Sequence, residues 1–193
     1  MIICHTHKFI YVKSYKTAST SVEKFFQHFC RDKDIVGYRG PNPRPTNCDW
    51  YNHMRPSQIK KKLNDDNIWD SYLKFGCVRN PWDRKVSAYF FAHANKQDCV
   101  KKTFEDFCMN EHSGNLRSFY DLDMDYYIRF ETLHEDIKNV CNLLNVSCDL
   151  SRLPHDKKTE HEDYTKYYTD EMRDKIAKDC KQDIEFFNYT FGD

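Results

Sequence analysis

Two short clusters in this sequence carry the residue types that grip an anion. The first is Lys16-Thr17-Ala18-Ser19-Thr20-Ser21. Its hydroxyls are hydrogen-bond donors, and Lys16 adds a mobile positive charge. If a helix starts here, its first backbone N–H groups and its dipole face the same anion. The turn is not a Walker A loop, because G-x-x-x-x-G-K-[ST] is absent and no glycine is present. A helix N-cap rich in Ser and Thr reads from the same residues. The second cluster is Arg79-Asn80-Pro81-Trp82-Asp83-Arg84 with Ser87. A guanidinium fork and a hydroxyl about two helical turns on can hold one phosphate. Arg39, Arg44 and Arg55 lie near Trp50, Tyr51 and His53 in a stretch broken by Gly37, Gly40, Pro41, Pro43 and Pro45. Arginines among aromatics suit a sugar or an anionic substrate. A solvated loop with a few anchoring aromatics fits them as well.

Positioning these clusters takes strands and helices. Phe9-Ile10-Tyr11-Val12 is an apolar, β-rich run, and Val22, Phe25, Phe26 and Phe29 follow at helical spacing. Strand, small-residue turn and helix is how α/β proteins hold phosphate. Tyr72 to Val78 predicts a second buried strand that runs into Arg79, and ligand sites of open α/β sheets lie at such strand ends. Pro81 suits a first helical turn, with Asn80 as its cap, and that helix is expected to reach about Ala94. A short helix is expected from Pro56 to Asn64 with Ser57 as its cap, and further helices over 103–109, 131–144 and 169–187. Asp125 to Phe130 predicts a third strand. His5 and His7 fall on one face of an extended segment, which reads as an edge strand rather than a metal site. No repeat or linker breaks the pattern, so residues 1–193 are expected to form one α/β domain with a central, mostly parallel sheet flanked by helices.

Composition narrows the class. With 30 basic and 30 acidic residues the net charge is zero, so there is no general case for a nucleic-acid partner. Thirteen Tyr, fourteen Phe and only five Gly exclude a disordered or low-complexity chain. No apolar run is long enough to span a membrane and no signal-peptide core is seen, so a soluble, cytoplasmic chain is expected. Nine cysteines without a C-x-x-C pair argue against zinc and for buried thiols in a reducing compartment.

The two clusters together resemble the sulfotransferases that use 3′-phosphoadenylyl sulfate (PAPS). The carbohydrate branch is the most similar, especially enzymes like the heparan or uronyl 2-O-sulfotransferases. Lys16 to Ser21 resembles that family's 5′-phosphosulfate loop, although Ser19 stands where many members have glycine. Arg79 to Arg84 with Ser87 resembles its 3′-phosphate motif, R-N-P-x-D-R-x-x-S. Arg129-Phe130-Glu131, the Leu153 to Thr159 stretch and the 183–189 segment follow in the family's order.

The resemblance implies a P-loop-like fold and transfer of a sulfuryl group from PAPS to a hydroxyl, leaving 3′,5′-adenosine bisphosphate (PAP), with no metal. It implies that Lys16, Thr17, Ala18, Ser19, Thr20 and Ser21 hold the 5′-phosphosulfate. It gives Arg79 and Ser87 the 3′-phosphate, and Lys158 and Thr159 a closing role. Lys16 would also stabilise the leaving phosphate oxygen. Asn52-His53-Met54-Arg55 resembles the segment that carries the family's catalytic His, so His53 is the expected base, ahead of His155. Arg39, Arg44 and Arg55 hint at an anionic saccharide acceptor. A P-loop-like nucleotide kinase would share the strand–loop–helix logic but needs a Walker lysine and a magnesium-binding acid. A non-catalytic PAP- or sugar-binding module on the same scaffold is the other alternative.

Overall fold

The computed structural model describes residues 1–40, 48–94, 102–154 and 161–193. The chain forms two compact units, one of residues 1–78 and 120–156, the other of residues 79–119 and 157–193.

The first unit holds a five-stranded sheet of order β3-β1-β2-β4-β5. Its strands are β1 (Ile2–Cys4), β2 (Phe9–Val12), β3 (Ile35–Val36), β4 (Leu73–Val78) and β5 (Tyr126–Arg129). β2 pairs parallel with β4, and β4 parallel with β5. β1 pairs antiparallel with both β2 and β3, so the sheet is mixed rather than mostly parallel in its pairings. The reason is connection length. Only residues 5–8 separate β1 from β2, and so tight a turn cannot return a strand parallel. His5 and His7 therefore sit in a hairpin turn, not along an edge strand, and β1 is internal. Lys8 closes that turn in the left-handed region, at φ 53.

Helix α1 (Ser19–Gln27) packs Val22, Phe25 and Phe26 against Phe9, Tyr11, Phe75 and Cys77 of the sheet. Helix α7 (Leu133–Leu143) adds Ile137, Val140 and Cys141 to the same core. Ile3, Ile10 and Val12, which alternate with these strand residues, are fully buried too. Buried on both faces, β2 lacks polar alternation, as its sequence predicted. Near its end, β4 passes under Tyr120, whose hydroxyl donates to the Cys77 carbonyl at 2.8 Å. A Cβ on Gly76 would run into the Tyr120 ring. Gly76→Ala should therefore cost about 1–3 kcal/mol as overpacking, read as a lower melting temperature; an unchanged value would refute the contact.

Helix α2 (Pro56–Leu63) starts at Pro56, but its N-cap is Arg55 and not Ser57. The Ser57 hydroxyl donates instead to Asp121 at 2.5 Å, a long-range contact that no local pattern reveals. Helix α3 (Asp66–Ser71), only six residues long, was missed by periodicity; Asp65 caps it and Trp69 anchors it.

The second unit is helical. It contains α4 (Pro81–Ala94), α5 (Phe104–Asn110), α6 (Leu116–Phe119), α8 (Asp170–Asp179) and α9 (Lys181–Phe187). Asn80 caps α4 as expected, accepting from the Trp82 N–H at 3.1 Å. Trp82, Val86, Cys108, Met172, Ile176 and Cys180 form its core. The single helix expected over 169–187 breaks at Cys180. Beyond the break Asp183 is buried, accepts from the Leu116 and Arg117 amides and pairs with Arg84 at 3.3 Å.

Candidate functional site

The loop from Lys13 to Ala18 joins β2 to α1. Lys16 and Ala18 both lie in the left-handed region, at φ 58 and φ 57, with Thr17 between them in an ordinary conformation. Each such residue costs about 1–2 kcal/mol when it is not glycine. Alternation of left-handed and right-handed residues is the backbone pattern from which loops build N–H nests for anions. The loop thus takes a glycine-like path without glycine, and its hydroxyls hold it there. Ser14 Oγ donates to the Cys77 carbonyl at 2.6 Å and contacts Thr17 Oγ1 at 2.8 Å. Ser19 Oγ donates to the Ser14 carbonyl at 2.6 Å. The Ser14 proton is committed to Cys77, so Thr17 must donate to Ser14. Thr17 and Ser19 therefore spend their protons bracing the loop.

The N-cap position of α1 is Ala18, which makes no side-chain cap, and the first turn carries no acid. That disposes of the ordinary Ser/Thr cap reading. By contrast α3, α5 and α8 are capped by Asp65, Thr103 and Thr169 side chains. An uncapped helix start behind such a loop presents positive partial charge. Lys16 and Thr20 are half-buried there, and Ser21 is buried.

His53 belongs to the same unit. Its ring stacks on Tyr15 with centroids 3.6 Å apart and planes 14° from parallel. Its Nδ1 lies 3.1 Å from the Lys13 carbonyl oxygen. A carbonyl only accepts, so Nδ1 carries the proton and Nε2 keeps a lone pair. Burial, then the Lys13 charge, push the His53 pKa down to about 4. The imidazole is consequently neutral and able to accept a proton. His53 itself is left-handed, at φ 62, a strained backbone of the kind that clusters at functional sites.

Lys13 and Glu23 escaped the sequence reading. Glu23 is fully buried on α1. It takes Lys13 Nζ at 2.7 Å and Arg39 Nε at 2.8 Å. Arg39 also donates to Gln27 at 2.5 Å. The only signal in the sequence was an acid one step from the apolar stripe of α1.

In the second unit, Arg79 lies buried at the head of α4. Its Nε and Nη2 donate to both oxygens of Asp83, at 2.7 and 2.8 Å. The acid of the motif thus fixes the fork of its arginine, one helical turn away. Ser87 is buried on the same helix. Arg84 and Lys85 serve the scaffold. Arg84 binds Asp183 and the Gly114 carbonyl, and Lys85 donates to the Glu111 carbonyl at 2.6 Å.

Both clusters fall within a family match that runs over residues 1–190, and the family is the sulfotransferase family. The chain belongs to that family. Neither the curated proteins nor the solved structures compared with the chain gave a match.

Within this sulfotransferase, the first unit brings together Lys16, Thr17, Ala18, Ser19, Thr20, Ser21 and the His53 segment, and the second holds Arg79 and Ser87. Of the arginines assigned to the acceptor, Arg39 is tied to Glu23, Arg55 is exposed at the start of α2, and Arg44 lies outside the described residues. Lys158, Thr159 and His155 lie outside them as well. Among the described residues, no helix of the sulfotransferase is long and apolar enough to cross a membrane.

Proposed function

We propose that this sulfotransferase takes PAPS as donor and transfers its sulfuryl group to a hydroxyl of an anionic saccharide, acting as one P-loop-like domain over the whole chain. The observation that carries the proposal is the pairing, in one unit, of an anion-nest loop with a neutral, oriented histidine. The family match across both units supports the single domain.

The residues present fit the donor. The left-handed loop and the uncapped α1 offer N–H groups and positive partial charge to its 5′ side. Lys16, Thr20 and Ser21, with the amides of Thr17, Ala18 and Ser19, would hold that side. Arg79, kept rigid by Asp83, and Ser87 would hold the 3′-phosphate, and Lys158 and Thr159 would close over the nucleotide. Bound PAPS supplies an activated sulfuryl group and a phosphate leaving group.

The chain's own residues then position and stabilise, as in phosphoryl transfer. His53 Nε2 accepts the proton of the acceptor hydroxyl. Lys16 supplies positive charge where negative charge grows on the leaving oxygen. The imidazolium that forms beside Lys13 is helped by the negative charge of a bound nucleotide, which raises a nearby histidine pKa. Exposed Arg55, with Trp50 and Tyr51 nearby in sequence and Tyr15 stacked on His53, supplies charge and ring surface suited to an anionic sugar.

Thermal stability with PAP, ADP and ATP, each with and without Mg²⁺, tests the donor. A ligand held only by the folded state raises the melting temperature with its concentration over Kd. PAP should give the largest shift, ADP a smaller one, and neither should need metal. A shift with Mg-ATP alone would overturn the proposal.

A further inference from the structure

Away from the anion loop, the first unit gathers three metal-ligating groups from separate parts of the chain. Cys4 ends β1, Cys30 follows α1, and Asp34 precedes β3. Their Sγ and carboxylate oxygen atoms all lie within 4.8 Å of one another. Cys4 Sγ is 3.4 Å from Asp34 Oδ2. That is close to the edge of a tetrahedron built with a metal–sulfur bond of about 2.3 Å and a metal–oxygen bond of about 2.1 Å.

We propose that Cys4, Cys30 and Asp34 form a binding site for one thiophilic divalent cation, zinc by the chemistry of the donors. Two thiolates and one carboxylate suit zinc and leave a fourth position for water. On binding, each thiol gives up its proton to solvent, so two protons are released per ion.

The surroundings fit a ligand set. The Asp34 carboxylate is aimed by the His5 N–H at 2.6 Å, the Thr6 N–H at 3.1 Å, the Thr6 hydroxyl at 2.8 Å and the Arg31 N–H at 2.7 Å. Such outer hydrogen bonds orient metal-binding carboxylates. Cys4 is buried, whereas Cys30 and Asp34 are half-buried, so an ion can enter from their side. No C-x-x-C spacing announces the set, because the hairpin and α1 bring it together.

The site would lie at the far end of α1 from the anion loop. That helix has nine residues, about 14 Å of rise. The ion would therefore tie the β1–β2 turn to the segment after α1 and act on stability rather than on transfer chemistry. The inference does not depend on the proposed function.

The test is a titration of the reduced, full-length protein with Co²⁺, followed by displacement with Zn²⁺. One equivalent of Co²⁺ should give a thiolate-to-cobalt charge-transfer band that Zn²⁺ removes, and Zn²⁺ should raise the melting temperature. Cys30→Ser should lose both effects and Asp34→Asn should bind at least tenfold more weakly, with circular dichroism checking that both variants are folded. Cys148→Ser, which alters a second close thiol pair among the described residues, with Cys141, should keep both effects. No band in the wild type, a band that survives in Cys30→Ser, or one lost in Cys148→Ser would overturn the site. So would a reduced protein that binds no metal but forms a Cys4–Cys30 disulfide on oxidation by glutathione disulfide.

Discussion

Replacing His53 by Ala is expected to lower sulfuryl transfer about 10²–10⁴-fold while PAP affinity stays near that of the wild type. The expectation rests on the Nδ1 contact with the Lys13 carbonyl, which leaves Nε2 as the accepting atom. Because His53 is left-handed, Ala adds backbone strain. His53→Asn tolerates that conformation better and should lose turnover equally. Full activity in either variant would remove His53 from the mechanism; loss of PAP binding in both would make it structural.

The same histidine predicts a pH dependence with a definite sign. Its folded-state pKa of about 4 lies below its ordinary value of 6.5. Between these values the unfolded chain binds a proton that the folded chain does not. Stability from this group is therefore intact above pH 6.5 and falls as the pH drops through the window toward 4. Activity of the free enzyme should persist below pH 6 for the same reason. Lys13→Met removes the second cause of the depression, so its acid limb should move up. An acid limb near 6.5 in the wild type would contradict the buried setting of the ring.

The largest effect on stability is expected from Glu23→Ala. Glu23 is fully buried, and Lys13 is nearly so. Removing the acid takes the buried carboxylate away from the Lys13 ammonium and the anchor from Arg39. Breaking a buried pair in this way costs about 3–5 kcal/mol, a fall of roughly 10 °C in melting temperature for a chain of this size. The double change Glu23→Leu with Lys13→Met should recover part of the loss, since an apolar pair needs no desolvation. A single-variant loss under about 1 kcal/mol would match an exposed pair and refute the buried hub.

The metal titration and the PAP shift bear on different ends of α1. A chain that binds PAP but no metal would keep the donor site and lose the cation site; the reverse result would separate them the other way.

The sequence by itself determined what is local. The apolar run of β2, the stripe of α1, and the Asn80-Pro81 start of α4 follow from periodicity and capping within a few residues of each other. The join of β2 to α1 through a short loop was legible for the same reason: strand, turn and helix are contiguous. Tertiary structure decided the rest. The direction of β1 depended on a short turn whose partner strand the sequence does not name. Thr17 and Ser19 were expected to face an anion, but Ser14 and the Cys77 carbonyl, brought in by β4, take up their loop. Ser57 left its expected cap for Asp121, and Glu23 became a buried partner of Lys13 and Arg39. Cys4, Cys30 and Asp34 meet only because the hairpin folds back beside the end of α1. Hydrogen bonds and ion pairs between distant residues leave no period in the sequence. Their partners are chosen by packing, and packing exists only once the sheet and its helices have assembled.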